Sequence, residues 1–271
     1  MTDPADYLRA VGEAGDVPEQ DIARAALMLS ALDHVGRGIE VYESHLEEIA
    51  DAARSEARLS IRVEDGARSL AALMVGRFGY DGDRRSYDDP LNADLMSVID
   101  RRRGLPVALG VLYIHAARAA GFETCGLNSP NHFLLRIGLR GHEAWLDPFN
   151  GGAAQDPERL GGPPAMGAAA STNIPDPVSD IDVLLRLQNN LKLRALNMGE
   201  RGRALEIAGR MVLIAPKKPE LWMDVARLNE AAGALGAARR AYESCLNLAN
   251  ADRGLHNEAA LSLHALKRRL N

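Results

Sequence analysis

Residues 101–152 read RRRGLPVALGVLYIHAARAAGFETCGLNSPNHFLLRIGLRGHEAWLDPFNGG, and the periodicity of the chain changes once within them. From Pro106 to Ala120 the residues are apolar nearly all round, which predicts a buried helix with Pro106 in its tolerant first turn and Gly121 as its stop. The residues that follow shift to short β-type runs, FETCGLN, HFLLRIGL and EAWLDPF, parted by Ser129-Pro130, Gly138 and Gly141. Antiparallel strands packed on a buried helix make an α+β core.

Upstream, residues 3–77 carry helical spacing, with Ile22, Ala25, Ala26 and Leu29 on one stripe and Ile39, Tyr42, Leu46 and Ile49 on the next. Leu70, Leu73 and Met74 repeat the pattern, and none of these helices offers chemistry. GYDGDRRSYDDPLN, residues 79–92, has the Gly, Asp and Pro of a structured loop, and Ala93 to Arg102 is a short helix. Downstream, residues 151–180 turn to Gly, Ala, Pro and Ser and predict a connector with little regular structure. Helical spacing then resumes with an internal repeat: Ala204, Ala208, Met211 and Ile214 align with Ala238, Tyr242, Cys245 and Leu248 at an offset of 34. A period of about 34 in helix–turn–helix units is the tetratricopeptide pattern, with Pro216 closing one unit.

The chain has 271 residues, 46% hydrophobic and 25% charged, which excludes a disordered or fibrous protein and accommodates two domains. Its net charge of −5 conceals an asymmetry. Residues 1–180 hold 17 Arg against 28 acids, while residues 181–271 hold 15 basic and 9 acidic side chains and all four lysines. An acidic larger part, with a basic part whose charges are spread along helices, argues against nucleic-acid binding. Two cysteines, Cys125 and Cys245, form neither a disulfide framework nor a CxxC pair, and a reducing cytoplasm is expected. The acidic start and the lack of a long apolar run predict neither export nor a membrane span.

Tyr87, Asp89-Pro90 and Asn92, then Arg102-Arg103-Gly104-Leu105-Pro106, Pro130-Asn131-His132-Phe133, Asp147-Pro148-Phe149-Asn150-Gly151-Gly152 and Asn190-Leu191-Lys192 together carry a family resemblance. The chain resembles SirB-type bacterial proteins, a transglutaminase-like (papain-related) core followed by tetratricopeptide repeats. The resemblance implies domains at 1–180 (helical scaffold 1–100, core 101–152, connector 153–180) and 181–271. It also implies a triad of a cysteine at the start of the buried helix, a histidine and an aspartate.

Such a triad needs a thiolate, a histidine to take its proton, and a carboxylate that fixes the histidine's tautomer. His132 and Asp147 suit the second and third roles, but Gly104 to Ala108, with Pro106 and Ala108 nearest the expected position, offer no thiol or hydroxyl. Cys125 lies on the strand after the helix, away from the field of the helix terminus that lowers a thiol pKa, and reads as a small buried hydrophobe. Without a nucleophile, His132 and Asp147 read as a hydrogen-bonded pair that holds two strands in register.

The remaining candidates are weaker. Metal binding by His132, His142 and Asp147 lacks the spacing that would place two histidines on one side. His115 is expected to be a satisfied core histidine, and Cys245 to be packing. Arg101, Arg102 and Arg103 read as the solvated end of a helix, or as anchors for the loop containing Asp88 and Asp89. Asn150-Gly151-Gly152 needs only a tight turn. The expectation is therefore a non-catalytic protein that binds a protein or peptide through its cleft, with Arg103, Asn131, Phe149 and Asn150 in contact, and through its repeats. No cofactor or metal is expected. The alternative is a peptide- or isopeptide-directed hydrolase or acyltransferase that uses His132 and Asp147.

Overall fold

The computed structural model describes residues 3–17, 21–56, 60, 62–128, 133–156, 175–249 and 252–270. Its contacts divide the chain into one unit of residues 16–184 and a second of residues 1–15 with 185–271. The first helix, α1 (Pro4–Ala14), thus belongs to the second unit, although its place in the sequence puts it with the scaffold helices.

In the first unit the helices α2 (Ile22–Ala31), α3 (Glu40–Glu56) and α4 (Val63–Ala71) precede a π-helical turn at Ala72–Arg77. Strand β1 (Asp81–Gly82) follows, then α5 (Leu95–Arg101), strand β2 (Arg103–Gly104) and α6 (Pro106–Ala119). Helix α6 is the centre of this unit: every residue from Val107 to Ile114 is buried, as its all-round apolar sequence predicts. Three strands come next, β3 (Glu123–Asn128), β4 (Phe133–Leu139) and β5 (His142–Asp147), as antiparallel neighbours.

The sheet is wider than its sequence suggests. Ala153–Gln155 (β6) and Pro177–Val178 (β7) add edge strands, giving the order β6-β5-β4-β3-β7. Both lie in the stretch expected to be an irregular connector. An edge strand needs only backbone pairing along one side, so it leaves no period-two apolar signature.

Side-chain alternation separates the two faces of the sheet. Gly126 is opposite Leu135, and Asn128 is opposite Phe133. This face meets α6, where Gly110 has no Cβ because one would stand 2.2 Å from the ring of Phe133. Cys125, Leu127, Leu134 and Trp145 share the other face in a small apolar cluster.

The second unit is helical: α7 (Asp180–Asn197, from Leu185 on), α8 (Arg201–Ile214), α9 (Pro219–Ala231), α10 (Leu235–Leu248) and α11 (Arg253–Leu270). Helices α8 and α10 have the same length and start 34 residues apart, and α9 and α11 also start 34 apart. Gly199 (φ 77°) and Gly233 (φ 76°), again 34 apart, make the same left-handed turn before α8 and α10. The aligned Ala204 and Ala238 are fully buried, as the repeat predicts. Helix α1 packs on α8, with Gly12 backed against the Leu213 carbonyl.

Candidate functional site

The start of α6 is where a nucleophile is expected, and its first residues are Pro106, Val107 and Ala108 after the N-cap Leu105, which makes no side-chain cap bond. The polar loop before it supplies the local order. Leu105 donates its amide to the Asn92 carbonyl at 2.8 Å, and the fully buried Asn92 gives its side-chain amide to the Ser86 carbonyl. Arg101 reaches back to Asp83 (2.9 Å) and Asn92 (3.2 Å), with Asp89 at 3.9 Å. Backbone amides of Ser86 and Arg85, together with Arg101, hold the Asp83 carboxyl below the usual range.

The three arginines therefore do not form one basic surface. Arg101 anchors the acidic loop. Arg102, in the left-handed region at φ 57°, turns its guanidinium onto the Tyr80 ring and bonds His45 and the Tyr80 hydroxyl. Arg103 is exposed and donates to the carbonyls of Gly79 and Arg102. Burial and the Arg102 charge push the His45 imidazole below its ordinary pKa, and Glu48 at 3.4 Å opposes them.

Asp147 ends β5 and is 4% exposed. Its Oδ1 accepts the backbone amides of Phe149 (3.0 Å) and Asn150 (3.2 Å), and its Oδ2 accepts the Asn150 side-chain amide (2.6 Å). Both oxygens thus cap the short 3-10 turn Pro148–Asn150. Arg84 closes this turn from the other side: it donates to the Phe149 carbonyl and to Asn150 Oδ1 (2.8 Å) and covers the Phe149 ring. Tyr87, 46% exposed, meets the same ring edge-on at 5.7 Å. Behind the turn lies Tyr113 of α6, whose buried hydroxyl has no hydrogen-bond partner among the described residues and whose pKa is raised by burial and by the charges of Asp81 and Asp147.

Asn131 and His132 lie outside the described residues. Phe149 is half-buried, and Asn150 and Arg103 are exposed beside the β1–β2 pair. Cys125 sits on the face of the sheet turned away from α6, and burial raises its thiol pKa against the opposing pull of Arg136. His142 is exposed at the start of β5. His115 bonds the Leu46 carbonyl at 2.9 Å. Cys245 is fully buried in the core of the repeats. Among the described residues no three His, Cys, Asp or Glu side chains gather as a metal site, and no helix is long and apolar enough to cross a membrane.

Arg84, His45 and Tyr80 play parts that the sequence does not announce. The composition of residues 79–92 marks a loop that holds Tyr80 and Arg84 but not the partners they take, and His45 lies outside it in α3.

Comparison with known proteins agrees with this architecture. Residues 40–189 match the transglutaminase-like superfamily, and residues 191–271 match the tetratricopeptide repeat. A UPF0162 protein of Xylella fastidiosa (strain Temecula1) is 28% identical over 229 residues, which cover 79% of this chain and 80% of that protein. A UPF0162 protein of Vibrio cholerae is 33% identical over 111 residues, 40% of this chain and 41% of that one. The human F-box only protein 21 is 31% identical over 98 residues, 35% of this chain but 16% of its own length. No solved structure matches. The chain belongs to the transglutaminase-like superfamily and carries tetratricopeptide repeats after that domain.

Proposed function

We propose that this protein binds a protein or peptide partner through the degenerate cleft of its transglutaminase-like domain and through its repeats, in the cytoplasm and without covalent catalysis. The observation that carries this reading is the start of α6, where Leu105, Pro106, Val107 and Ala108 stand in the place of a nucleophile. Two features support it. Both oxygens of Asp147 are occupied in capping its own turn, and Cys125 is a thiol of raised pKa on the opposite face of the sheet. Paired helices of the repeat type present surfaces for peptides and proteins. Arg103, Phe149 and Asn150, with Asn131, are the contact residues assigned to the cleft.

The test uses the intact chain. Partner capture is expected to persist in His132→Ala and to be lost in the Arg103→Glu, Asn150→Ala double variant, whose melting temperature falls with the lost bonds to Asp147 and Arg84 but whose circular dichroism shows it still folded at the assay temperature. Amide cleavage or acyl transfer by the purified protein, abolished by alkylation or by Cys125→Ser, would overturn this reading.

A further inference from the structure

Helix α3 turns His45 inward against the residues that join the π-helical turn to β1, and leaves 11% of its side chain exposed. The ring stands edge-on to Phe78 at 5.5 Å, and its Nε2 lies 2.9 Å from the Tyr80 hydroxyl. Arg102 donates to that same Nε2 and, at 2.5 Å, to that same hydroxyl. A guanidinium has no lone pair to offer, so Nε2 is the acceptor, and the neutral ring carries its proton on Nδ1, 3.4 Å from Glu48.

Arg102 in turn fixes the floor of the cleft. Its backbone is left-handed at φ 57°, a conformation that a residue with a long side chain keeps only where its surroundings hold it. Its carbonyl accepts the Asp81 amide at 3.2 Å, which opens the β1–β2 pair, and the Arg103 guanidinium at 2.8 Å. On β1, Gly82 lies directly under Phe149, whose ring and carbonyl would each stand 2.5 Å from a Cβ there. Two contact residues assigned to the cleft, Arg103 and Phe149, therefore rest on the strand pair that Arg102 ties to His45.

The charges around His45 set the direction in which a proton acts. Arg102 is in contact with the ring, and Glu48, exposed on the same helix, opposes it. Burial keeps the Tyr80 hydroxyl protonated. Further out stand Arg77, over the Phe78 ring, and Asp100, held by Arg37 and Tyr42. The elements packed on α3 add His115 of α6, engaged with the Leu46 carbonyl, and Arg24 of α2, paired with Glu43 at 3.2 Å. A proton on Nε2 thus removes the acceptor of Arg102 and sets two cations in contact, and water screens the exposed Glu48 that could offset them.

We propose that His45 is a proton-operated latch on the cleft: when its ring takes up a proton, Arg102 is released, the β1–β2 pair loosens, and Arg103 and Phe149 leave the positions that hold the partner. The proposal rests on the protein-binding reading above and adds its regulation, with binding at neutral pH and release as the medium turns acidic.

The experiment follows the intact, isotope-labelled chain by NMR as the pH is lowered from about 7.5 to about 5, across the span of histidine titration. The His45 ring and the amides of Gly82, Arg103 and Gly104 are expected to move with one common midpoint, below the ordinary histidine value of about 6.5. In His45→Gln, which accepts from Arg102 without titrating, those amides are expected to stay in place. Glu48→Gln, a change at an exposed position, is expected to lower the midpoint. In parallel, a histidine-free peptide selected from a random library on the intact chain at neutral pH is expected to bind about tenfold more weakly at the acid end, the worth of one charge-assisted hydrogen bond, and equally at both ends in His45→Gln.

Amides that stay in place until the chain unfolds, that move equally in His45→Gln, or that keep their midpoint in Glu48→Gln would overturn the latch. So would a peptide affinity that holds through the His45 midpoint. Failure to select any peptide, or a peptide still bound by Arg103→Glu, would sink the broader reading, and the amide titration decides on the latch in either case.

Discussion

The guanidinium carbon of Arg84 stands 5.1 Å from the centre of the Phe149 ring, and the same side chain donates to the Phe149 carbonyl at 2.9 Å. One residue of the polar loop thus fixes both ring and backbone of the turn that follows β5, and it also reaches Asp81 and Asn150. Removing it in Arg84→Ala is expected to cost about 1–2 kcal/mol, because a partner carbonyl and a side-chain amide lose their donor together. Arg84→Lys, which lacks the planar fork, is expected to restore less than half of that. Urea denaturation of the three proteins measures both differences.

Gly110 gives a prediction whose sign is decided by packing. In an exposed helix, replacing Gly by Ala gains about 1 kcal/mol. Here the new methyl group would stand 2.2 Å from the Phe133 ring, and overpacking of this kind costs about 1–3 kcal/mol. Gly110→Ala is therefore expected to lower the melting temperature, and Phe133→Leu in the same chain to recover part of the loss. A more stable Gly110→Ala protein would contradict the observed packing of α6 on β4.

His45 makes stability depend on pH. Burial and the Arg102 charge hold its folded-state pKa below the ordinary value, so the unfolded chain takes up the proton first as pH falls. The associated stability is complete above about pH 6.5, the unperturbed histidine value, and is lost as pH falls from there through the lower folded value. His45→Gln, which keeps an acceptor for Arg102 but cannot titrate, is expected to show a shallower fall between pH 7.5 and pH 5. Equal slopes in the two proteins would remove His45 from the account.

In the repeat unit Lys192 is buried, with only 8% of its side chain exposed, and it pairs with Asp224 across from α7 to α9. Asp224→Ala strands a buried ammonium and is expected to cost about 3 kcal/mol or more, whereas Lys192→Met, which replaces the charge with apolar volume, is expected to cost much less. Thermal denaturation of the two variants separates these cases, and equal losses would show that the pair acts through packing alone.

The sequence by itself determined the elements whose signal is local. The all-round apolar run 106–120 becomes the buried α6, the period-two runs become β3 to β5, and the offset of 34 reappears in the starts of α8 and α10, because each pattern is written by residues a few positions apart. That residues 104–108 carry no thiol or hydroxyl was legible in the same way, since it is a property of composition.

Only the tertiary structure decided the rest. It paired Ala153–Gln155 and Pro177–Val178 as sheet edges, placed α1 with the repeats, and turned Arg101, Arg102 and Arg103 towards three different sets of partners. It also committed Asp147 to its own turn. Backbone pairing at an edge requires no particular side chain. The direction in which a charged residue points is set by partners far away in the sequence, so neither is written in the local pattern.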